Sequence, residues 1–123
     1  MTIREAICIS EQLNPDQFPE EDKVRWLSNL DGQLKRDIFD TRQGLPAEEF
    51  AGYTMEDLDR ELLVPAPYDD EIYPAFLIMK GAFYNNESVR YENAMVMYNN
   101  AVASFQSFWI RSHATKGPVR FRM

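Results

Sequence analysis

Apolar residues recur at helical spacing through the last third of the chain, between Glu87 and His113. The steps between successive apolar positions are four, three, four, three and four residues, which is the spacing of one helix face. The residues on that face are Tyr91, Met95, Tyr98, Val102, Phe105 and Trp109. At about 1.5 Å per residue, the predicted helix is on the order of 40 Å long. A helix of that length can serve as a core element, as an assembly surface, or as both.

Two shorter helices are predicted at the start of the chain. The first runs from Thr2 to Leu13, with Thr2 as its N-cap and Glu5 three residues later, as in a capping box. The second opens at Pro19, because a proline fits the first turn and the acidic residues after it face the positive end of the helix dipole. Its apolar stripe ends near residues 41–44.

A third helix is predicted to begin at Asp69 or Asp70, with one of these aspartates as its N-cap. Pro74 is placed in the first turn, where the amide that proline lacks would have no helical partner. Asn85 and Asn86 end this helix. Because the link to the long last helix is so short, the two helices are predicted to be antiparallel neighbours.

The helical period disappears between Gly44 and Pro67, where prolines and a glycine interrupt the sequence. We expect an ordered segment wrapped outside the helices, with its acids outward and a single turn at Thr54–Leu58 capped by Thr54. The predicted fold is therefore all-α and four-helix bundle-like. It comprises one helical domain over residues 1–116 and a flexible basic tail over residues 117–123.

Charge is distributed unevenly along this chain of 123 residues, whose net charge is −7. The acidic middle, residues 44–73, carries nine acids against Arg60 alone, whereas residues 74–123 carry six bases and two acids. The two regions can pair within one fold, can simply be solvated, or can match each other between copies. The net charge argues against a dedicated nucleic-acid binder, and no apolar run is long enough for a membrane span. The lone Cys8 suits a reducing compartment.

Few residues suggest chemistry. His113, the only histidine, is predicted to lie at a helix end, where the dipole favours a cation. Asp69, Asp70 and Glu71 could bind Mg²⁺ or Ca²⁺, but consecutive residues at a helix start point in different directions and capping is the simpler interpretation. The sequence contains no phosphate-binding glycine loop, no Gly-Xaa-Ser-Xaa-Gly elbow and no His-Glu-Xaa-Xaa-His motif. We therefore predict no catalytic, metal-binding or cofactor-binding residues, and no enzyme.

The surface is predicted to form a protein interface, because exposed aromatic residues often anchor protein contacts. The hydroxyls of Tyr68 and Tyr73 are expected at the surface. Together with neighbouring acids and the basic tail they form the predicted interface set: Tyr68, Asp69, Asp70, Tyr73, Arg120 and Arg122.

Three stretches of the sequence carry a family resemblance. They are Arg25–Ile38, Glu61–Asp70, and the run from Arg90–Met95 on to Phe105 and Trp109. The most specific part is the leucine-valine-proline-alanine-proline-tyrosine run within the second stretch. Together they resemble the small helical head-to-tail connector proteins, also called head completion or adaptor proteins, of tailed phages and prophages of low-GC Gram-positive bacteria.

The resemblance implies a virion structural protein without catalysis or cofactor. Members of that group assemble as rings beneath the portal, extend the DNA channel and receive the tail. The resemblance thus implies a homo-oligomer that contacts portal and tail-completion proteins. It also implies a location in the virion and, during assembly, in the host cytoplasm. The acidic loop of one copy would then meet the basic tail of its ring neighbour. Two other classes fit the residues: a small intracellular helical interaction module, and an enzyme that binds a metal through carboxylates.

Overall fold

The chain forms an all-helical fold in a computed structural model, which describes residues 1–39 and 50–112. Four α-helices and a short 3₁₀ turn lie within these ranges. They are α1 Ile3–Leu13, α2 Glu20–Asp37, the 3₁₀ turn Met55–Asp57, α3 Asp69–Tyr84 and α4 Ser88–Ser112. The predicted all-α, four-helix architecture is confirmed.

The start of α1 is capped as predicted, whereas the start of α3 is not. The Thr2 hydroxyl accepts the amide N–H of Glu5 at 3.1 Å, and the Glu5 carboxylate accepts the amide N–H of Thr2 at 2.8 Å. This is the predicted capping box. Helix α3 begins at Asp69, as predicted, but its N-cap residue is Tyr68 and no side chain caps it. The prediction of an aspartate N-cap was wrong.

Pro74 lies deeper in α3 than the sequence suggested. It is the sixth residue of the helix, so the amide it lacks would have bonded to the carbonyl of Asp70. The prediction that it falls in the first turn was wrong. The helix nevertheless continues past Pro74, which is buried, to Tyr84.

Helix α2 ends at Asp37, before the predicted 41–44. Beyond that end, the Phe39 ring contacts the rings of Phe105 and Trp109 on α4, with centroids 5.6 and 4.5 Å away.

Helix α3 packs against each of the other three helices. The amino group of Met1 lies 3.0 Å from the Asp69 carboxylate at the start of α3, and the Gln17 amide donates to Asn85 at its end. Helix α1 therefore runs parallel to α3. Helix α4 runs antiparallel, as predicted, because Tyr68 contacts Phe105 while the other end of α3 meets the start of α4.

The described part of the predicted outer loop, residues 50–67, contributes to the core. Tyr53, Leu62 and Val64 are buried, so this segment completes the core as well as covering the helices. The turn at Met55–Asp57 has the predicted Thr54 cap. Residues 44–49 of the predicted loop and the predicted tail 117–123 lie outside the described residues.

The predicted apolar face of α4 faces α3, but most of it is only half buried. The buried residues of this helix are Ala94, Ala101 and Phe105. Tyr91, Met95, Tyr98, Val102 and Trp109 keep part of their surface in water. The helix therefore lies at the edge of the bundle and leaves its opposite side open.

Candidate interaction surface

Tyr73 is not at the surface. Its hydroxyl donates a hydrogen bond to the Asp31 carboxylate at 2.6 Å and accepts one from the amide N–H of Val64 at 2.9 Å. Its side chain is fully buried. The prediction that this hydroxyl reaches the surface was wrong, because residues 50–67 fold over it.

The other predicted interface residues fall into three environments. Tyr68 is half buried, with its ring against those of Phe105 and Phe108 at centroid distances of 5.6 and 5.2 Å. Asp69 is buried and paired with the amino group of Met1 at 3.0 Å. Asp70 is exposed. Arg120 and Arg122 lie outside the described residues, as does His113.

A buried polar network fastens residues 50–67 to α2 and α3. Asp31 is fully buried, and its carboxylate accepts hydrogen bonds from the hydroxyls of Tyr53 and Tyr73 and from the amide N–H of Leu63. Burial raises the pKa of Asp31, while these three donors oppose that rise. Burial and the adjacent carboxylate raise the pKa of both tyrosines. Both hydroxyls therefore stay protonated and act as donors at neutral pH.

The sequence contains a signal for buried polar groups on α2 that the apolar period alone does not reveal. Lys23, Leu27 and Asp31 are four residues apart on the buried face of α2, so a cation and an acid interrupt an apolar stripe. Lys23 is fully buried as well, with its ammonium nitrogen 2.8 Å from Glu11 and 3.0 Å from Asp16. A charged residue on an apolar helix face must find a buried partner, although the sequence does not say which one.

The consecutive acids Asp69, Asp70 and Glu71 do not converge. Asp69 turns inward to Met1, whereas Asp70 and Glu71 are exposed. Within residues 1–39 and 50–112, no group of three or more histidine, cysteine and acidic side chains is arranged to hold a metal ion.

An open groove of about 700 Å³ lies between α3 and the N-terminal half of α4, beside the end of α1. We call it the α3/α4 groove. Its lining consists of Leu13, Asp70, Glu71, Pro74, Ala75, Ile78, Glu87, Ser88, Val89, Arg90, Asn93, Ala94 and Met97. Three separate parts of the chain thus build one surface.

Several large apolar side chains that line the α3/α4 groove are exposed to water. Leu13 is 68% exposed, Val89 71% and Met97 64%, and they are three of the eight exposed large apolar residues in the described chain. Soluble proteins commonly expose such residues singly, whereas a cluster around a concave surface marks a binding site. The groove is therefore the strongest candidate site in the described residues.

No family model, curated protein or solved structure matches this chain. The helices in the described ranges include none that combines the length and the apolar character of a membrane span.

The α3/α4 groove carries acids at its rim, Asp70, Glu71 and Glu87, and one base, Arg90, which pairs with Glu87 at 2.6 Å. An apolar groove with this rim suits an apolar segment that carries basic residues.

Proposed function

We propose that this chain is a non-enzymatic structural protein of a phage or prophage virion. It acts as a head-to-tail connector that assembles in a ring beneath the portal, extends the DNA channel and receives the tail. Its partners are further copies of itself, the portal and the tail-completion proteins, and it needs no cofactor. Its place is the virion, and the host cytoplasm during assembly.

The observation that carries the proposal is that the three stretches resembling connectors contact one another in the fold. Asp31, in the first stretch, accepts the amide N–H of Leu63 in the second at 3.0 Å. Tyr68, in the second stretch, has its ring 5.6 Å from that of Phe105 in the third. The three stretches that carry the resemblance therefore belong to one structural unit of this chain.

The surface of the α3 and α4 pair also supports an assembly role. Helix α4 has 25 residues and is about 37 Å long. One side of it packs on α3, while Val89, Val96 and Met97 are exposed. A ring of copies would cover apolar surface that a monomer leaves in water.

The net charge of the chain supports a role in a channel through which DNA passes more than a role in binding DNA. With a net charge of −7, the chain would repel the phosphate backbone overall, so DNA could pass without being held. Binding to a particular DNA sequence is not part of the proposal.

Deleting the gene from the prophage that carries it tests the proposal. Electron microscopy of the induced lysate is expected to show heads and tails that have not joined, and the gene supplied on a plasmid is expected to restore whole particles. Mass spectrometry of purified wild-type particles is expected to detect the protein. Normal tailed particles in the deletion lysate, or purified particles that lack the protein, would refute a connector role.

A further inference from the structure

The rim and lining of the α3/α4 groove define the chemistry of its occupant. The rim carries three acids and Arg90, which is already paired with Glu87, so the unpaired charge at the groove is negative. The lining exposes Leu13, Val89 and Met97. An occupant therefore needs apolar side chains on one side and basic side chains beside them.

The sequence of this chain contains such a segment after α4. Residues 113–123 carry Lys116, Arg120 and Arg122 and no acid. Val119, Phe121 and Met123 alternate with the two arginines. In an extended conformation, alternate residues point to opposite sides, so the three apolar side chains would share one side and the arginines the other.

The length of the groove agrees with the length of the apolar run in the tail. From Val89 to Met97 the groove follows α4 for about 12 Å. From Val119 to Met123 an extended chain spans about 13 Å. The apolar run therefore matches the apolar part of the groove in length.

The segment reaches a neighbouring copy more readily than its own groove. Met97 lies fifteen residues before Ser112, which ends α4, a distance of about 22 Å. Val119, seven residues past Ser112, reaches at most about 25 Å when fully extended. Docking in the same chain would thus use nearly all of this reach along the helix. Only about 3 Å would remain for the reversal of direction at the end of α4 and for the sideways step to the groove.

We propose that the α3/α4 groove binds residues 117–123 of a second copy of this chain, with the apolar side chains in the groove and Arg120 and Arg122 at its acidic rim. The contact joins two different surfaces, so repeated copies close into a ring or extend into a filament. This inference deepens the connector proposal, because it names the contact between copies.

A photo-reactive aromatic residue, benzoylphenylalanine, in place of Phe121 tests the position of the tail. The full-length labelled chain is mixed with ¹⁵N-labelled wild type, irradiated and digested, and mass spectrometry separates cross-links between copies from those within one chain. We expect cross-links between copies onto groove residues such as Met97. Cross-links confined to single chains, or lying outside the groove, would overturn the proposal.

Two substitutions in the ¹⁵N-labelled chain form a matched pair, one in the groove as the test and one beside it as the control. Met97→Lys replaces an apolar groove residue with a base, whereas Val96→Lys changes the adjacent residue, which is 55% exposed and does not line the groove. Burial of one large apolar side chain corresponds to about a ten-fold change in binding or more. We expect Met97→Lys to lower the cross-link yield about ten-fold and Val96→Lys to leave it nearly unchanged. Equal effects of the two would overturn the proposal.

Charge reversal tests the role of the rim. The pair Arg120→Glu and Arg122→Glu is expected to reduce association between copies, measured by sedimentation, and the pair Asp70→Lys and Glu71→Lys is expected to restore it in the same chain. Unchanged association of the Arg120→Glu, Arg122→Glu protein overturns the tail contact and leaves the connector proposal standing. Cross-links in the groove combined with normal particles from the deletion lysate would instead refute the connector role and retain the tail contact.

Discussion

Removing the hydroxyl of Tyr73 tests whether the network around Asp31 holds residues 50–67 onto the helices. In Tyr73→Phe, the Asp31 carboxylate loses a donor at 2.6 Å and the amide N–H of Val64 loses its acceptor at 2.9 Å. A hydrogen bond to a charged group contributes about 1.5–3 kcal/mol, and a buried N–H without a partner costs about 1–3 kcal/mol. We therefore expect the free energy of unfolding to fall by roughly 3–5 kcal/mol. That is a large share of the roughly 5–15 kcal/mol typical of a domain.

Urea unfolding followed by tryptophan fluorescence measures this loss. Tyr53→Phe removes one hydrogen bond, and Asp31 keeps two donors in that variant, so we expect a smaller loss of about 1.5–2 kcal/mol. Tyr84→Phe is the control, because its side chain is about half exposed, and we expect a change within about 0.5 kcal/mol. A loss for Tyr73→Phe no larger than that of Tyr84→Phe would refute the reasoning. Equal losses for Tyr73→Phe and Tyr53→Phe would show that Val64 does not depend on the Tyr73 hydroxyl.

Three further predictions concern the free energy of unfolding measured in urea. Lys23→Met removes the buried cation between two acids and is expected to cost about 2–4 kcal/mol, whereas Arg36→Met, at an exposed position, should change it by less than about 0.5 kcal/mol. Gly52→Ala is expected to cost about 2 kcal/mol, because Gly52 has a φ of +89° and an added Cβ would lie 2.8 Å from the Ser28 hydroxyl. Thr2→Ala removes the cap of α1 and is expected to cost about 1 kcal/mol, and Thr2→Ser should retain most of that stability. A change under about 0.5 kcal/mol in any of the three variants would contradict the contact assigned to that residue.

The helices could be predicted from the sequence because their signals are local. The capping box of Thr2 and Glu5 uses residues three apart, and the apolar stripe of α4 repeats within a single helix. The end of α2 could not be predicted in the same way. Just beyond that end Phe39 meets Trp109, seventy residues later, and a helical period contains no information about such a distant contact.

The candidate site depends even more on distant contacts. Leu13, Pro74 and Met97 line one groove, yet they belong to three helices, and each reads in the sequence as an ordinary helix residue. For Tyr73 the sequence failed in the other direction, because a residue predicted to be part of the site is buried. An aromatic residue near a helix start looked exposed, but residues 50–67 cover it, and those residues lack a periodic pattern from which their path could be predicted.

Helix α3 links the buried network to the α3/α4 groove. Asp70, Pro74 and Ile78 are four residues apart and line the groove together, while Tyr73, directly before Pro74, faces Asp31 on the other side. Because Pro74 cannot bond to the carbonyl of Asp70, this turn of α3 has one helix bond fewer, and its shape depends more on side-chain contacts. The bond from Tyr73 to Asp31 therefore does more than stabilise the core. We expect it also to position the turn whose outer side forms the groove, so that a change in the network alters the binding surface without touching any groove residue.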